Sequence, residues 1–227
     1  MNFPDYRVEA NHLSLERFTE MDYLAVERFH LPVGLMMENA GLHLARLVAH
    51  YLPRGGRVLV GAGMGNNGGG GLVAARRLAG WGFSVYLDIP VSDLKELPRI
   101  QMERALAAGV VAGSVNDPDL FVDAYLGFSQ RLPLPVAILR SVEAANKLAC
   151  KRISLDIPTG FDRSTGKTVF KPDAVLTLAA MKTELLSFTG SVEIYVADLG
   201  IPGMVYEHFG IRQPTLFRRS GLLKSIR

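Results

Sequence analysis

The sequence predicts a single α/β domain built on a mostly parallel central sheet, with two helices preceding the first strand. Three observations predict it. β-rich runs alternate with helical stretches from residue 57 to residue 199; parallel neighbours need long crossovers, so this alternation implies a sheet covered on both faces. Apolar residues recur at helical spacing between Ser14 and Leu52, ahead of the first strand. The 227 residues, 48% hydrophobic and 21% charged, are enough to bury one core without disulfides or metals and exclude a disordered body. No repeat, low-complexity tract or linker divides the chain, so residues 1–227 read as one domain.

Met21, Leu24, Ala25 and Phe29 share the face of one helix, and Leu35, Met36, Ala40, Leu44, Leu47 and Val48 that of the next. Leu31-Pro32-Val33-Gly34 separates the two, because proline and glycine interrupt helical propagation. RVLVGA (57–62) is a strand, Gly71 to Trp81 a helix, FSVYLDI (83–89) a strand and Leu97 to Ala108 a helix. LFVDAYL (120–126), RISLDI (152–157), AVLTLA (174–179) and VEIYVADL (192–199) are strands, with a helix from Pro135 to Ala149 between the first two.

The net charge is +3, its excess gathered in Arg212, Arg218, Arg219, Lys224 and Arg227, which read as a solvated or frayed terminus. No aromatic interleaving or basic helix accompanies them, so no nucleic-acid partner is expected. Cys150, the single cysteine, falls at a predicted helix end and can form neither an internal disulfide nor a zinc cluster. No run approaches the roughly 20 apolar residues of a membrane span, and the polar start carries no signal pattern, so a cytoplasmic protein without a membrane partner is expected. The scattered histidines (His12, His30, His43, His50, His208) and the lack of a serine elbow set zinc and hydrolase chemistry aside. Lys182, after AVLTLAAM, reads as an exposed strand-end lysine able to reach a phosphate.

GAGMGNNGGGG (61–71) follows the first strand and opens a helix. Its glycines let backbone amides approach an anion, and a helix amino terminus adds free N–H donors and partial positive charge. Seven glycines in eleven positions exceed what a packing turn needs, which favours a binding loop. Asn66 and Asn67 add side-chain groups for a sugar hydroxyl or a cation. Gly63, Gly65 and Gly68 match dinucleotide spacing and Asp88 ends the next strand near where a ribose-binding acid stands, but no Walker lysine follows. An ordinary dehydrogenase reading would leave the Asn pair unexplained.

Two carboxylates stand out. Asp123 lies inside an apolar strand, where an unpaired charge costs several kcal/mol, so it reads as binding a cation or anchoring a loop. Asp156 ends the strand of SLDIPTGFD (154–162), just before a sharp turn, and is the acid/base candidate because partial desolvation raises a carboxyl's pKa towards neutrality. Thr159 offers a hydroxyl and a carbonyl from the same turn, and for Asp162 a structural role ordering the proline turn competes with a functional one.

MMENAG (36–41), GMGNNGGGGLVAARRL (63–78), VDAYLGFS (122–129), SLDIPTGFD (154–162), PDAVLTLAAMK (172–182) and VADLGIP (196–202) together resemble the YjeF amino-terminal family over nearly the whole chain. The resemblance implies a Rossmann-like three-layer α/β/α sandwich and an isomerase, an epimerase that interconverts the R and S forms of hydrated NADH or NADPH (NADHX, NADPHX). It implies substrate contacts at Asn66, Asn67, Gly68, Gly69 and Gly70, a second segment of Gly127, Phe128, Ser129, Gln130, Arg131, Leu132 and Pro133, and Asp156 at the substrate. It implies a potassium ion on Asn67, Asp123 and Thr159, and a homodimer. Gly70 replaces the aspartate usual in the family, and Gln130 and Arg131 stand where a lysine is often found. A non-catalytic nucleotide-binding or scaffold module on the same fold is the alternative. In the implied chemistry the C6 hydroxyl leaves a carbon bonded to ring nitrogen, giving an iminium-like cation; Asp156 protonates the leaving hydroxyl, faces the cation as carboxylate and activates the returning water.

Overall fold

Strand and helix positions follow from which faces the residues bury. In the computed structural model, which describes residues 3–8 and 11–226, the run Arg57–Ala62 forms β3, with Val58, Val60 and Ala62 in one core cluster and Leu59 in another. That alternation is the period-2 signature of a strand covered on both faces.

In chain order the elements are β1 (Asp5–Arg7), β2 (His12–Leu13), α1 (Leu15–Phe29), α2 (Val33–Tyr51), β3, α3 (Asn66–Gly80), β4 (Ser84–Asp88), α4 (Glu96–Ala107), β5 (Val111–Ala112) and β6 (Leu120–Ala124). There follow α5 (Val136–Ala145), β7 (Lys151–Leu155), β8 (Ala174–Leu178), β9 (Met181–Lys182), a 3-10 turn (Thr183–Phe188), β10 (Glu193–Ala197), α6 (Gly203–His208), α7 (Phe217–Ser220) and β11 (Leu222–Ile226). The described residues make a nine-stranded sheet ordered β1-β11-β10-β8-β7-β6-β3-β4-β5. Its pairings are parallel except that of β10 with β11. Leu44, Leu47, Leu72 and Leu78 of α2 and α3 cover one face, and Ile138 and Val142 of α5 cover the other against Leu59 and Phe121. The fold is the three-layer α/β/α sandwich with two amino-terminal helices.

Two features position a site. From β3 the chain runs outward through β4 to β5, then returns to β6 on the opposite side of β3; such a switch point opens a crevice beyond the strands' carboxyl ends, where ligands bind in doubly wound sheets. Separately, β2 and β9 form a small sheet that sets Leu13 beside Lys182. Ser14 Oγ then caps α1 by accepting from Arg17 N–H (3.3 Å), while Glu184 accepts from Leu15 N–H at 2.9 Å. The start of α1 is thereby tied to the segment carrying Lys182.

The structure corrects several sequence expectations. α3 begins at Asn66, so Gly68 to Gly71 belong to its first turns and not to a loop ahead of it. Packing demands several of these glycines: a Cβ on Gly63 would lie 1.9 Å from Tyr125 O, and one on Gly68 2.0 Å from Gly63 O. The glycine density thus reflects close strand–helix approach as well as the site. The described end of the chain, as far as Ile226, is not frayed; Leu222 and Leu223 are buried in β11 and Lys224 pairs with Glu193 at 2.7 Å, while Arg227 lies outside the described residues. α5 ends at Ala145, leaving half-buried Cys150 just ahead of β7, its thiol pushed up by burial. Pro32 caps α2, and Gly34 lies inside it.

Candidate active site

Asp156 follows directly on β7, and its backbone φ of 70° lies in the left-handed region that a non-glycine residue avoids. Such strain persists where surrounding contacts over-determine it. Here the N–H of Asp156 donates to Leu176 O at 2.7 Å, and its Oδ2 accepts from Phe128 N–H at 2.8 Å. Its Oδ1 meets Lys182 Nζ at 3.1 Å, with both side chains almost fully buried. Lys182 is therefore not the exposed lysine read from sequence. Its ammonium also donates to Leu178 O at 2.5 Å and lies 3.5 Å from the centre of the Phe18 ring. Burial pushes its pKa down, against the charge of Asp156, which favours the cation.

The cavity above Asp156 is walled by α1, α2 and the start of α3, with Asp22, Met36, Asn66, Asn67, Gly70 and Phe128 among its lining. Burial, then the charge of Asp156, raises the pKa of Asp22, while Lys182 opposes the rise. Gly70 borders this cavity, where a Cβ would meet only Leu155 Cδ2 at 3.0 Å and Ala40 Cβ at 3.9 Å. An adjoining cleft shares Asn67 and Ser129 with the cavity and is lined also by Lys95, Gly127, Arg131 and Pro133. Both chambers are lined mainly by apolar surface; the first has two carboxyl groups at its wall, and the second carries two cations, Lys95 and Arg131.

The 127–133 segment is held against the 156–161 turn by Gln130. Its Oε1 accepts from Gly160 N–H at 2.6 Å and its Nε2 donates to Pro158 O at 3.2 Å. Gly127 leaves room for its neighbours, since a Cβ there would stand 3.0 Å from Asp156 Oδ2 and 3.2 Å from Asn67 Oδ1. Of the residues singled out in the sequence, Asn66, Asn67, Gly70, Phe128, Ser129 and Asp156 meet at the cavity, and Gly127, Gln130, Arg131 and Pro133 at the cleft. Gly68 and Gly69 are buried in α3, and Leu132 points to solvent outside both chambers.

Asp123 is fully buried on β6 and accepts from Ser154 Oγ (2.8 Å), Thr159 N–H (2.9 Å) and Thr159 Oγ1 (2.6 Å). It anchors the Asp-Ile-Pro-Thr-Gly turn, and no described cationic side chain pairs with it. Burial, offset in part by those hydrogen bonds, raises its pKa to about 6. Asn67 Nδ2, by contrast, is buried without a hydrogen-bond partner. The buried carboxylate of Asp123 has no cationic partner among the described residues, and Asp123, Thr159 and Asn67 each carry an oxygen of the kind a hard cation takes. Among the described residues no cluster of histidine, cysteine and carboxylates suits a transition metal. Asp88 accepts a hydrogen bond from the buried Tyr125 hydroxyl and lines neither of these two chambers but a separate pocket with Leu87, Ser92 and Met102.

The sequence reading missed Asp22 and misjudged Lys182. A signal existed for the first. Leu15, Phe18, Met21 and Ala25 form the buried stripe of α1, and Asp22, one turn beyond Phe18, is an acid on that apolar face.

A parallel sheet with a switch-point crevice, a helix amino terminus beside it and a buried acid at its floor define a ligand-binding α/β protein of the doubly wound class. Within that class, the model of the YjeF-related protein N-terminus matches residues 34–184, and the chain belongs to this family. It is 37% identical over 218 residues to an NAD(P)H-hydrate epimerase of Rhodopirellula baltica, covering 88% of each chain. It is 39% identical over 210 residues to an NAD(P)H-hydrate epimerase of Dehalogenimonas lykanthroporepellens, covering 85% of this chain and 83% of that one. The crystal structure of yeast ynu0 superposes with a TM-score of 0.84 at 25% identity, over 94% of this chain and 99% of that one.

Proposed function

We propose that this chain is an NAD(P)H-hydrate epimerase, interconverting the R and S forms of NADHX and NADPHX. The observation that carries the reading is Asp156, strained, buried and paired with Lys182 at the floor of a cavity that opens onto a basic cleft. The nicotinamide-derived ring sits in the apolar cavity with C6 at Asp156, and the phosphates run along the cleft past Lys95, Arg131 and the amino terminus of α3. Asp156 exchanges protons with the C6 hydroxyl, and its carboxylate faces the iminium-like cation left when that hydroxyl departs. A non-catalytic module has no use for a strained aspartate held on a buried lysine. The test is direct: the purified chain turns R-NADHX into an R/S mixture faster than the spontaneous reaction, and conversion at the spontaneous rate with ligand still bound would leave only a binding module.

Replacing Arg131 by alanine raises KM for NADHX about 3–10-fold and leaves kcat nearly unchanged, because an exposed phosphate contact binds ground state and transition state alike. Steady-state kinetics on the R epimer checks this; a fall in kcat at constant KM would place the phosphates elsewhere.

Asn67, Asp123 and Thr159 would hold a potassium ion, whose positive charge would compensate Asp123. The folded-state pKa of Asp123 is raised, so its protonated form favours the fold at acid pH and that contribution is lost as pH rises through about 6. Only above that pH is there a carboxylate for the ion. Potassium at a hundred times its Kd therefore stabilises by ~2.7 kcal/mol at pH 8, a Tm rise of roughly 5–10 °C over tetramethylammonium that fades by pH 5. A Tm indifferent to potassium at pH 8 would remove the ion from the reading. The reading also carries a homodimer, supported by exposed Tyr23, Leu35 and Met204, and the cytoplasmic location expected from the sequence.

A further inference from the structure

Epimerisation at C6 must be served on two faces of one ring: a hydroxyl leaves from one, water adds to the other, and a proton changes hands at each. Asp156 is one carboxyl, held by Phe128 N–H and Lys182. Asp22 is a second, brought to the same cavity by a different element, α1, over the β2–β9 pair that also sets Lys182 in place. Among the described residues no hydrogen bond ties down its carboxyl. Met36 and Met37 of α2 and Asn66 and Asn67 of α3, also on the cavity, are uncharged. The charged groups acting on Asp22 are Asp156 and Lys182.

We propose that Asp22 is the second acid–base residue of this epimerase, working on the ring face opposite Asp156. For one epimer the Asp22 carboxylic acid protonates the C6 oxygen, the C6–O bond breaks with its electron pair leaving on water, and the ring-nitrogen lone pair completes the iminium. Water then adds to C6 from the other face, its electron pair forming the new C–O bond and its proton passing to Asp156. One water leaves, one enters, and no oxidation state changes. Each turnover moves a proton from Asp22 to Asp156; exchange with solvent restores it, and the other epimer runs the roles in reverse. Burial and the neighbouring charge of Asp156 favour the protonated form this requires.

The assignment rests on the epimerase reading, and the experiment separates the two. Epimerisation of R-NADHX is followed across pH for wild type, Asp22→Asn, Asp22→Glu and Asp156→Asn, with melting curves for each. Asp22→Asn lowers kcat by ~10²–10⁴ at nearly constant KM and melting temperature. It also loses the fall in kcat/KM at higher pH that the wild type shows as Asp22 deprotonates, and Asp22→Glu restores part of both. Asp22→Asn with more than about a third of wild-type kcat, or with the alkaline fall intact, overturns the assignment while Asp156→Asn remains inactive. Wild type no faster than the spontaneous reaction overturns the epimerase reading and this assignment with it. Should Asp22→Asn fail to fold, Asp22→Glu decides alone: a changed alkaline limb supports the assignment and an unchanged one overturns it.

Discussion

Asp156→Asn is expected to lower epimerisation turnover by ~10²–10⁴, the range over which a positioned acid–base group contributes. Asparagine keeps the shape and can still accept from Phe128 N–H, so the strained turn and the 127–133 segment stay in register. It cannot carry a proton to or from the C6 hydroxyl, and it offers no charge to the iminium-like cation. The loss therefore falls on kcat, with KM little changed, as for an interaction made chiefly in the transition state. Single-turnover conversion of R-NADHX, with the spontaneous rate subtracted, measures it. Asp156→Asn retaining full activity would remove Asp156 from the chemistry.

Lys182→Met is expected to destabilise the fold by about 3–5 kcal/mol, because it leaves the Asp156 carboxylate buried without its cation. The pair is nearly solvent-free on both sides, at 0% and 2% side-chain exposure, so solvent screening does not reduce the effect. Methionine matches the stem and keeps contact with Phe18, which limits any cavity and leaves the charge as the main change. Urea unfolding followed by circular dichroism gives the loss. Asp156→Asn/Lys182→Met should be more stable than the sum of the two single variants predicts, by ~0.5–3 kcal/mol, since the double change leaves no unpaired buried charge. Strict additivity would mean that the two side chains do not act as a pair.

These two residues also mark where sequence reasoning reached and where it stopped. The strands were legible because burial on both faces needs nearly unbroken apolar runs, as in Arg57–Ala62 and Ala174–Leu178. Asp156 and Asp123 were legible because an acid in such a run is costly and needs a reason. Lys182 was not: its burial depends on Asp156, 26 positions earlier, and on Phe18 of α1, and neither distance is written in the local pattern. The glycines of α3 hid its first turns, since glycine disfavours helix and only the approach to Gly63 and Tyr125 explains why they are there. β11 was hidden by its basic neighbours, although β10 offers it an edge to pair with.

The most direct test of the central claim, that this cleft equilibrates the two C6 epimers, is to start from pure R-NADHX and from pure S-NADHX in parallel and follow both by chromatography with catalytic amounts of the chain. Both are expected to converge on one and the same R/S ratio, far faster than without protein. Convergence no faster than the spontaneous reaction from either side would contradict it.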